Sequence, residues 1–301
     1  MQNNNAHTLL ASVDSSKSEY SRLQDYLQLI KVRLSIVVVF SSLLGYLIAS
    51  GGNGSWIQAF ILVSGGLLVT FAANALNQVL EKDFDILMTR TSQRPVATGR
   101  MKSSEAVMFA GLSCLVGISL LSIFNPLTAL LGTLSLILYA FVYTPMKRYS
   151  TSAVAIGAIP GALPVLIGFT AYEGTISLLA LSLFAIQFLW QFPHFWAIGF
   201  LGFDDYSKAG YKLLPETENG IDRNLGISTM FYASMILPFV LLAYIRLDIS
   251  LICTIFVIGF TGMYIYLSYN FHKYFDKKSA KLLMFYSFVY LPMILFSYWL
   301  M

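Results

Sequence analysis

The stretch Asn74-Ala-Leu-Asn77-Gln-Val-Leu-Glu81-Lys-Asp83-Phe-Asp85 closes a long apolar run and opens a loop rich in arginine. At about 100° per residue, Asn77, Glu81 and Asp85 drift only about 80° round a helix, so one face carries an amide and two carboxylates while Asp83 points elsewhere. Acidic groups at a helix C-terminus meet the negative end of the macrodipole and one another. Such a cluster is unfavourable unless something positive sits on it, and a divalent cation is the simplest candidate.

The rest of the chain says where this cluster lies. Apolar residues make up 57% of the sequence and charged residues 11%, roughly half the charged share of a soluble domain. They fall into segments of about 17 to 28 residues, each long enough to cross a hydrocarbon core of about 30 Å. The expected fold class is an all-α integral membrane protein, because lipid offers backbone groups no partner outside a helix. About nine spans are expected: Leu34 to Ser50, Trp56 to Leu80, Ala106 to Phe124, Pro126 to Tyr143, Ala153 to Tyr172, Ile176 to Phe203, Ile227 to Ile245, Ile249 to Tyr269 and Leu282 to Leu300. Residues 1–28 are expected to be a mobile cytoplasmic arm with an interfacial lead-in, and residues 29–301 a single transmembrane domain. The first 28 residues are polar and lack a basic flank before an apolar core, so no cleavable signal is expected.

Basic residues collect on the cytoplasmic side of membrane proteins. Alternating nine spans from a cytoplasmic N-terminus puts every one of the 19 Lys and Arg residues on that side except Arg246. An error in the span number would scramble this sorting. The expected arrangement is therefore a cell (inner) membrane protein with its acidic motifs facing the cytoplasm and its C-terminus opposite. The net charge of +4 follows from topology and is no argument for nucleic acid. Cys114 and Cys253 lie mid-span without CxxC context and read as small buried hydrophobes.

Several stretches carry chemistry. The loop after the second span contains Arg90, Arg94 and Arg100 beside the carboxylates, which looks like half of an anion site because guanidinium forks match phosphate oxygens; plain positive-inside bias explains the charge but not the adjoining acids. Tyr143 and Lys147, four apart at the end of the fourth span, face the same way, although Tyr and Lys are also ordinary interfacial anchors. Gly157, Pro160, Gly161, Pro164 and Gly168 in the fifth span read as structural, for close helix approach and bending. The sixth span carries Gln187, Trp190, Gln191, His194 and Trp196, then Asp204, Asp205 and Lys208. An ionisable group within a span faces a protein interior or cavity by default, and His194 suits either a ligand or a hydrogen bond to Gln191 or a neighbouring helix. Asp204 and Asp205 repeat the acid-at-helix-end anomaly four spans on, suggesting two four-helix halves plus a ninth helix.

Mg²⁺ takes oxygen ligands, typically one or two carboxylates, waters and substrate phosphates. Two acidic clusters facing each other, flanked by Arg90, Arg94, Lys147, Arg148 and Lys208, would clamp a diphosphate through metal above an apolar cavity. An allylic prenyl diphosphate fits: metal and cations stabilise the leaving diphosphate, and aromatic faces stabilise the carbocation. A transporter with polar groups strung through mid-membrane is the reading from another class, but here the acids gather at one rim.

The pattern resembles the UbiA-type intramembrane prenyltransferases, and within them the branch that prenylates heme. The likeness rests on Asn77-Gln-Val-Leu-Glu81-Lys-Asp-Phe-Asp85 with Met88-Thr-Arg90 and Arg94-Pro, on Tyr143-Thr-Pro-Met-Lys147-Arg148, on Gly157-Ala-Ile-Pro-Gly161-Ala-Leu-Pro164, and most specifically on Trp190-Gln-Phe-Pro-His194-Phe-Trp196 with Asp204-Asp205-Tyr206 and Leu214-Pro215. The resemblance implies transfer of farnesyl from farnesyl diphosphate to a vinyl carbon of heme b, with water adding to give heme O. It implies Mg²⁺ held by Asn77, Glu81, Asp85, Asp204 and Asp205, with Asn77, Glu81, Asp85 and Lys147 catalytic. Diphosphate is then held by Arg90, Arg94, Lys147, Arg148 and Lys208, and heme by His194, Trp190 and Trp196, His194 as an axial ligand. Heme A synthase or a terminal oxidase assembly is the implied partner. Many members carry Asp where this chain has Glu81, and related enzymes space the second pair of aspartates four apart rather than side by side. An aromatic or quinone precursor is the alternative acceptor.

Overall fold

The structure is a computed structural model that describes residues 20–300 apart from Asn219 and Asp248. Most of the arm expected to be mobile falls on residues 1–19, outside the described residues. A short helix α1 (Arg22–Leu29) begins at a capping box: Ser21 Oγ accepts from the Gln24 backbone N–H, and the Gln24 side chain accepts from Ser21 N–H. This helix is separated from the first span by Lys31, which adopts a left-handed backbone (φ 48°). Among the described residues, nine helices are long and apolar enough to cross a membrane. They are α2 (Val32–Ser50), α3 (Trp56–Asp85), α4 (Ser103–Ser122), α5 (Pro126–Met146), α6 (Ala153–Glu173), α7 (Leu178–Leu201), α9 (Asn224–Arg246), α10 (Leu251–Tyr274) and α11 (Lys277–Trp299). Between α7 and α9 lie a two-turn helix α8 (Phe203–Lys208) and a hairpin of two-residue strands, β1 (Glu216–Thr217) and β2 (Gly220–Ile221).

Within the first four spans α2 packs on α3, α3 on α4 and α4 on α5; the next four repeat the scheme, α6 on α7, α7 on α9 and α9 on α10. The two sets meet along α2 and α6, and α11 lies against α7, α10 and α2. This is the two-half bundle plus one helix expected from the sequence. The pivot is α6: 78% of its most apolar stretch is buried, against 50% or less for the other eight spans. Its small residues make that possible. A Cβ on Gly168 would collide with the Ser42 carbonyl oxygen and sit 2.7 Å from the Tyr46 backbone nitrogen, so only glycine lets α2 come this close.

Two prolines in α6 remove backbone donors, and polar side chains of neighbouring helices bond to carbonyls along the same stretch. Ser135 Oγ donates to Pro160 O at 3.4 Å, Gln187 Nε2 to Gly161 O at 2.9 Å, and Gln191 Nε2 to Ala158 O at 2.9 Å. The mid-membrane amides of α7 thus both donate to α6 carbonyls and neither bonds His194, while Gln187 Oε1 has no hydrogen-bond partner among the described residues. Outward faces carry exposed apolar side chains such as Trp56, Phe60, Leu115 and Ile252, as a lipid-facing surface requires.

Candidate active site

The acidic motif is buried at the end of α3, with Asn77 1%, Glu81 4% and Asp85 0% exposed. The helix runs on through Asp85 rather than stopping with the apolar residues at Leu80, because the next loop caps it: Thr91 Oγ1 donates to the Asp85 carbonyl at 2.9 Å. That loop folds back on itself, Thr98 Oγ1 donating to Arg94 O at 3.0 Å and Met101 N–H to Pro95 O at 3.0 Å. Arg94 is thereby aimed at the helix tip.

Positive charge does sit on the carboxylates, and it comes from side chains. Lys147 Nζ donates to Glu81 Oε1 at 2.5 Å, Arg94 Nη1 donates to both Asp85 oxygens at 2.7 Å, and the same nitrogen lies 3.8 Å from Glu81 Oε2. Lys147 is itself 9% exposed. A buried carboxylate without a partner would cost several kcal/mol, so these pairings are what allow two acids to share the site.

Asn77 is oriented by a chain of hydrogen bonds. The α5 backbone passes through a π turn at Leu138–Tyr143, and Thr144 Oγ1 donates to Tyr139 O at 2.9 Å. With its only proton used, that hydroxyl accepts from Asn77 Nδ2 at 3.1 Å. Asn77 Oδ1 therefore faces the cluster, where Lys31 Nζ donates to it at 2.7 Å. Burial, then the nearby Arg94 charge, hold the Lys31 ammonium well below its usual range. Lys31 was indistinguishable in the sequence from an ordinary interfacial lysine; its left-handed backbone is what turns it inward.

Tyr143 stands beside Lys147, whose ammonium is 4.7 Å from the ring centroid, so the pair does face one way. Gly157 makes room for it: a Cβ there would lie 2.7 Å from the Tyr143 ring. Of the loop arginines, Arg90 donates to Tyr206 OH at 3.3 Å, whereas Arg100 is turned to Asp25 at 2.9 Å and docks α1. Arg148 lies over the Phe84 ring at 4.3 Å.

The second acidic pair separates. Asp204 is exposed, while Asp205 accepts from Thr89 Oγ1 at 3.1 Å on the arginine loop, with Lys208 3.7 Å away and 61% exposed. Desolvation pushes the Asp205 carboxyl up, but the Thr89 hydroxyl, backbone donors from Thr89 and Arg90 and the Lys208 charge together outweigh it and hold the carboxyl below its usual range. Among the described residues no three His, Cys, Asp or Glu side chains are grouped closely enough to form a metal centre by themselves. Glu81, Asp85 and Asn77 Oδ1 are buried oxygen donors of the kind Mg²⁺ takes, and each is engaged here by a cationic side chain.

A second constellation lies in the bundle around His194, which is 7% exposed. Its ring stacks on Trp190 (4.8 Å, 17°) and meets Phe288 edge-on (5.0 Å, 78°). His194 Nδ1 is 2.6 Å from Ser287 Oγ, and that hydroxyl donates its one proton to Met284 O at 2.6 Å. Ser287 can then only accept from the ring, so Nδ1 carries the proton and Nε2 keeps its lone pair. Nε2 makes no hydrogen bond among the described residues. Trp190 Nε1 donates to Ser287 O at 3.0 Å, which locks the stacked pair to α11. Trp196 is not part of this group; it packs edge-on against Phe192 (5.5 Å) and Tyr232 (5.3 Å).

Among the described residues, carboxylates, an amide and cations are thus buried together at one end of a bundle of nine apolar helices, the architecture of an intramembrane prenyltransferase. The profile of the UbiA prenyltransferase family matches residues 38–289, and the chain belongs to that family. It is similar to the protoheme IX farnesyltransferase of Cytophaga hutchinsonii, at 40% identity over 91% of this chain and 96% of the relative. It is also similar to that of Christiangramia forsetii, at 36% identity over 99% and 97%. Among solved structures, one reported for a digeranylgeranylglyceryl phosphate synthase superposes with a TM-score of 0.78 at 18% identity, covering 92% of this chain and 97% of that one. A UbiA homologue from Archaeoglobus fulgidus bound to GPP and Mg²⁺ superposes with a TM-score of 0.62 at 16% identity, covering 89% and 99%. The two structures share the fold.

Proposed function

We propose that this protein transfers a farnesyl group from farnesyl diphosphate to a vinyl group of heme b, giving heme O and diphosphate. The allylic C–O bond breaks with its electron pair leaving on diphosphate, and farnesyl C1 bonds to the outer vinyl carbon. Hydroxide from water adds to the inner one, and the water's other proton goes to solvent. Asn77 Oδ1, Glu81 and Asp85 would hold Mg²⁺, which when bound supplies Lewis-acid stabilisation of the leaving diphosphate.

Arg94 and Lys147 hold the two carboxylates in place and present cationic donors at the same spot, with Arg90 and Arg148 as outer positive charges. Tyr143 offers a π face near the reacting carbon. The prenyl tail would lie below, along a narrow apolar cleft among α2, α3, α4, α5 and α6 that is lined by Val38, Val39, Gly66, Val69, Leu121 and Ile167. Thr70, also on its wall, precedes Asn77 by seven residues, about 10 Å along α3. Trp190 and His194 form the heme face, Nε2 being free to bind iron. Asp205 supports the loop that carries Arg90 and Arg94.

The choice of heme as acceptor rests on His194, whose protonation at Nδ1 leaves an iron-binding nitrogen inside an apolar wall. Purified protein incubated with labelled farnesyl diphosphate, Mg²⁺ and either heme b or 4-hydroxybenzoate is expected to label heme alone. Label on the benzoate would move the assignment to quinone precursors. By the alternation of basic residues the site faces the cytoplasm of the cell membrane, and heme O is handed to a heme A synthase or oxidase assembly on leaving.

A further inference from the structure

One buried group at the site is left without a role. Gly210 (φ 72°) turns the chain after α8, and the next two backbone donors pin the turn: Tyr211 N–H donates to Tyr206 O at 2.9 Å and Lys212 N–H to Lys147 O at 2.7 Å. The Tyr211 ring is thereby laid 5.6 Å from the Lys147 ammonium, with Phe84 at 6.1 Å and Tyr206 at 6.3 Å packing it on other sides. Tyr211 is 4% exposed, and its hydroxyl has no hydrogen-bond partner among the described residues. Glu81 is already engaged by Lys147 and Arg94.

An unpaired buried hydroxyl costs roughly 1–3 kcal/mol in a protein. A phenylalanine would fill the same ring-shaped space without that penalty, so packing does not account for a tyrosine here. Burial, followed by the Glu81 and Asp85 charges and the closeness of the Glu81 carboxylate, which no hydrogen bond of ordinary geometry joins to the phenol, holds the phenol far above its ordinary range, so it is a hydrogen-bond donor at any physiological pH. A donor held beside two cations and two carboxylates suits an anion with many acceptor oxygens.

We propose that the Tyr211 hydroxyl is a ligand of the substrate's diphosphate, donating to a phosphate oxygen once the headgroup lies between Lys147 and Arg94. This rests on the prenyl diphosphate reading above and adds to it a residue outside the two acidic motifs, on the turn that follows α8. Beside Glu81 the hydroxyl lacks a hydrogen bond of good geometry, and a phosphate oxygen would supply one, so removing the hydroxyl acts in opposite directions on the ligand-free and the loaded protein.

Tyr211→Phe tests this through thermal unfolding in detergent, with inorganic pyrophosphate plus Mg²⁺ as probe, alongside steady-state kinetics with farnesyl diphosphate. Expected is a ligand-free Tm equal to or above that of the wild type, a smaller pyrophosphate-induced rise, and a KM for farnesyl diphosphate raised roughly tenfold, the share of one hydrogen bond to a charged acceptor. A full pyrophosphate-induced rise in Tyr211→Phe, or a ligand-free Tm below the wild type, overturns the inference while leaving the prenyl diphosphate reading intact. A wild-type protein that pyrophosphate and Mg²⁺ fail to stabilise overturns both.

Discussion

Replacing Lys147 by Met removes a charge and keeps the length of the side chain, and its effect can be worked from the geometry. Glu81, 4% exposed, loses its 2.5 Å partner and keeps only Arg94 at 3.8 Å. Breaking a buried pair from one side costs about 3–5 kcal/mol, and the surviving guanidinium puts this case near about 3. Glu81→Gln leaves the ammonium facing the rings of Tyr143 and Tyr211 at 4.7 and 5.6 Å, a partial substitute that brings the loss to about 2 kcal/mol. In the double variant no charge is stranded, so the loss is about 1 kcal/mol rather than the sum of the two. At about 2–4 °C per kcal/mol, each single variant melts several degrees below the wild type and the double variant lies closer to it than either. Transferase activity is lost in all three, so stability is the informative assay. Additivity of the two single effects within about 0.5 kcal/mol refutes the claim that these residues are a mutually dependent buried pair.

Gly168→Ala is expected to lower the Tm severely, because the backbone of α2 occupies the space its Cβ needs. Gly111→Ala, with nothing nearby, is expected to be neutral in the same melts. Ser287→Ala is expected to weaken heme b binding several-fold in a spectral titration, with Ser287→Thr restoring it, since the hydroxyl sets the His194 ring proton; equal affinity in all three contradicts that role. Asp205→Ala is expected to reduce turnover about tenfold through the Thr89 loop and exposed Asp204→Ala far less, as steady-state kinetics will show. Asp276 caps α11 through Ser279, whose backbone and side-chain donors hold its carboxyl below its usual range. A carboxylate depressed in the folded state stabilises fully above the unfolded value near 4 and loses that contribution as pH falls through its folded value. The Asp276→Asn variant is therefore expected to lose less stability on acidification than the wild type in pH-resolved melts.

The spans were legible because the bilayer imposes their length and the positive-inside rule checks their number. Their ends were less so, since hydropathy marks where lipid stops and caps decide where a helix stops. Thus α3 runs five residues past Leu80 to Asp85, and α7 ends at Leu201 rather than Phe203. Side chains clustered by helical spacing were readable too: Asn77, Glu81 and Asp85 share a face, as do Tyr143 and Lys147, whereas the stacking of Trp190 on His194 came only with the structure. What spacing cannot convey is partnership across distant segments. Ser287 at His194, Thr144 at Asn77, and Lys31 and Tyr211 at the carboxylates all arrive from other elements, and nothing local to their sequences distinguishes them from core or rim residues. Arg100 shows the converse, a motif arginine taken by Asp25.

The central claim is that the buried Glu81–Asp85 tip serves farnesyl transfer to heme. Its most direct test is mass spectrometry of hemes extracted from a host lacking this activity and expressing either the wild type or Asp85→Asn at matched levels. A new heme heavier than heme b by a farnesyl and a hydroxyl group is expected with the wild type alone. Its absence from the wild type, or its equal presence with Asp85→Asn, contradicts the account.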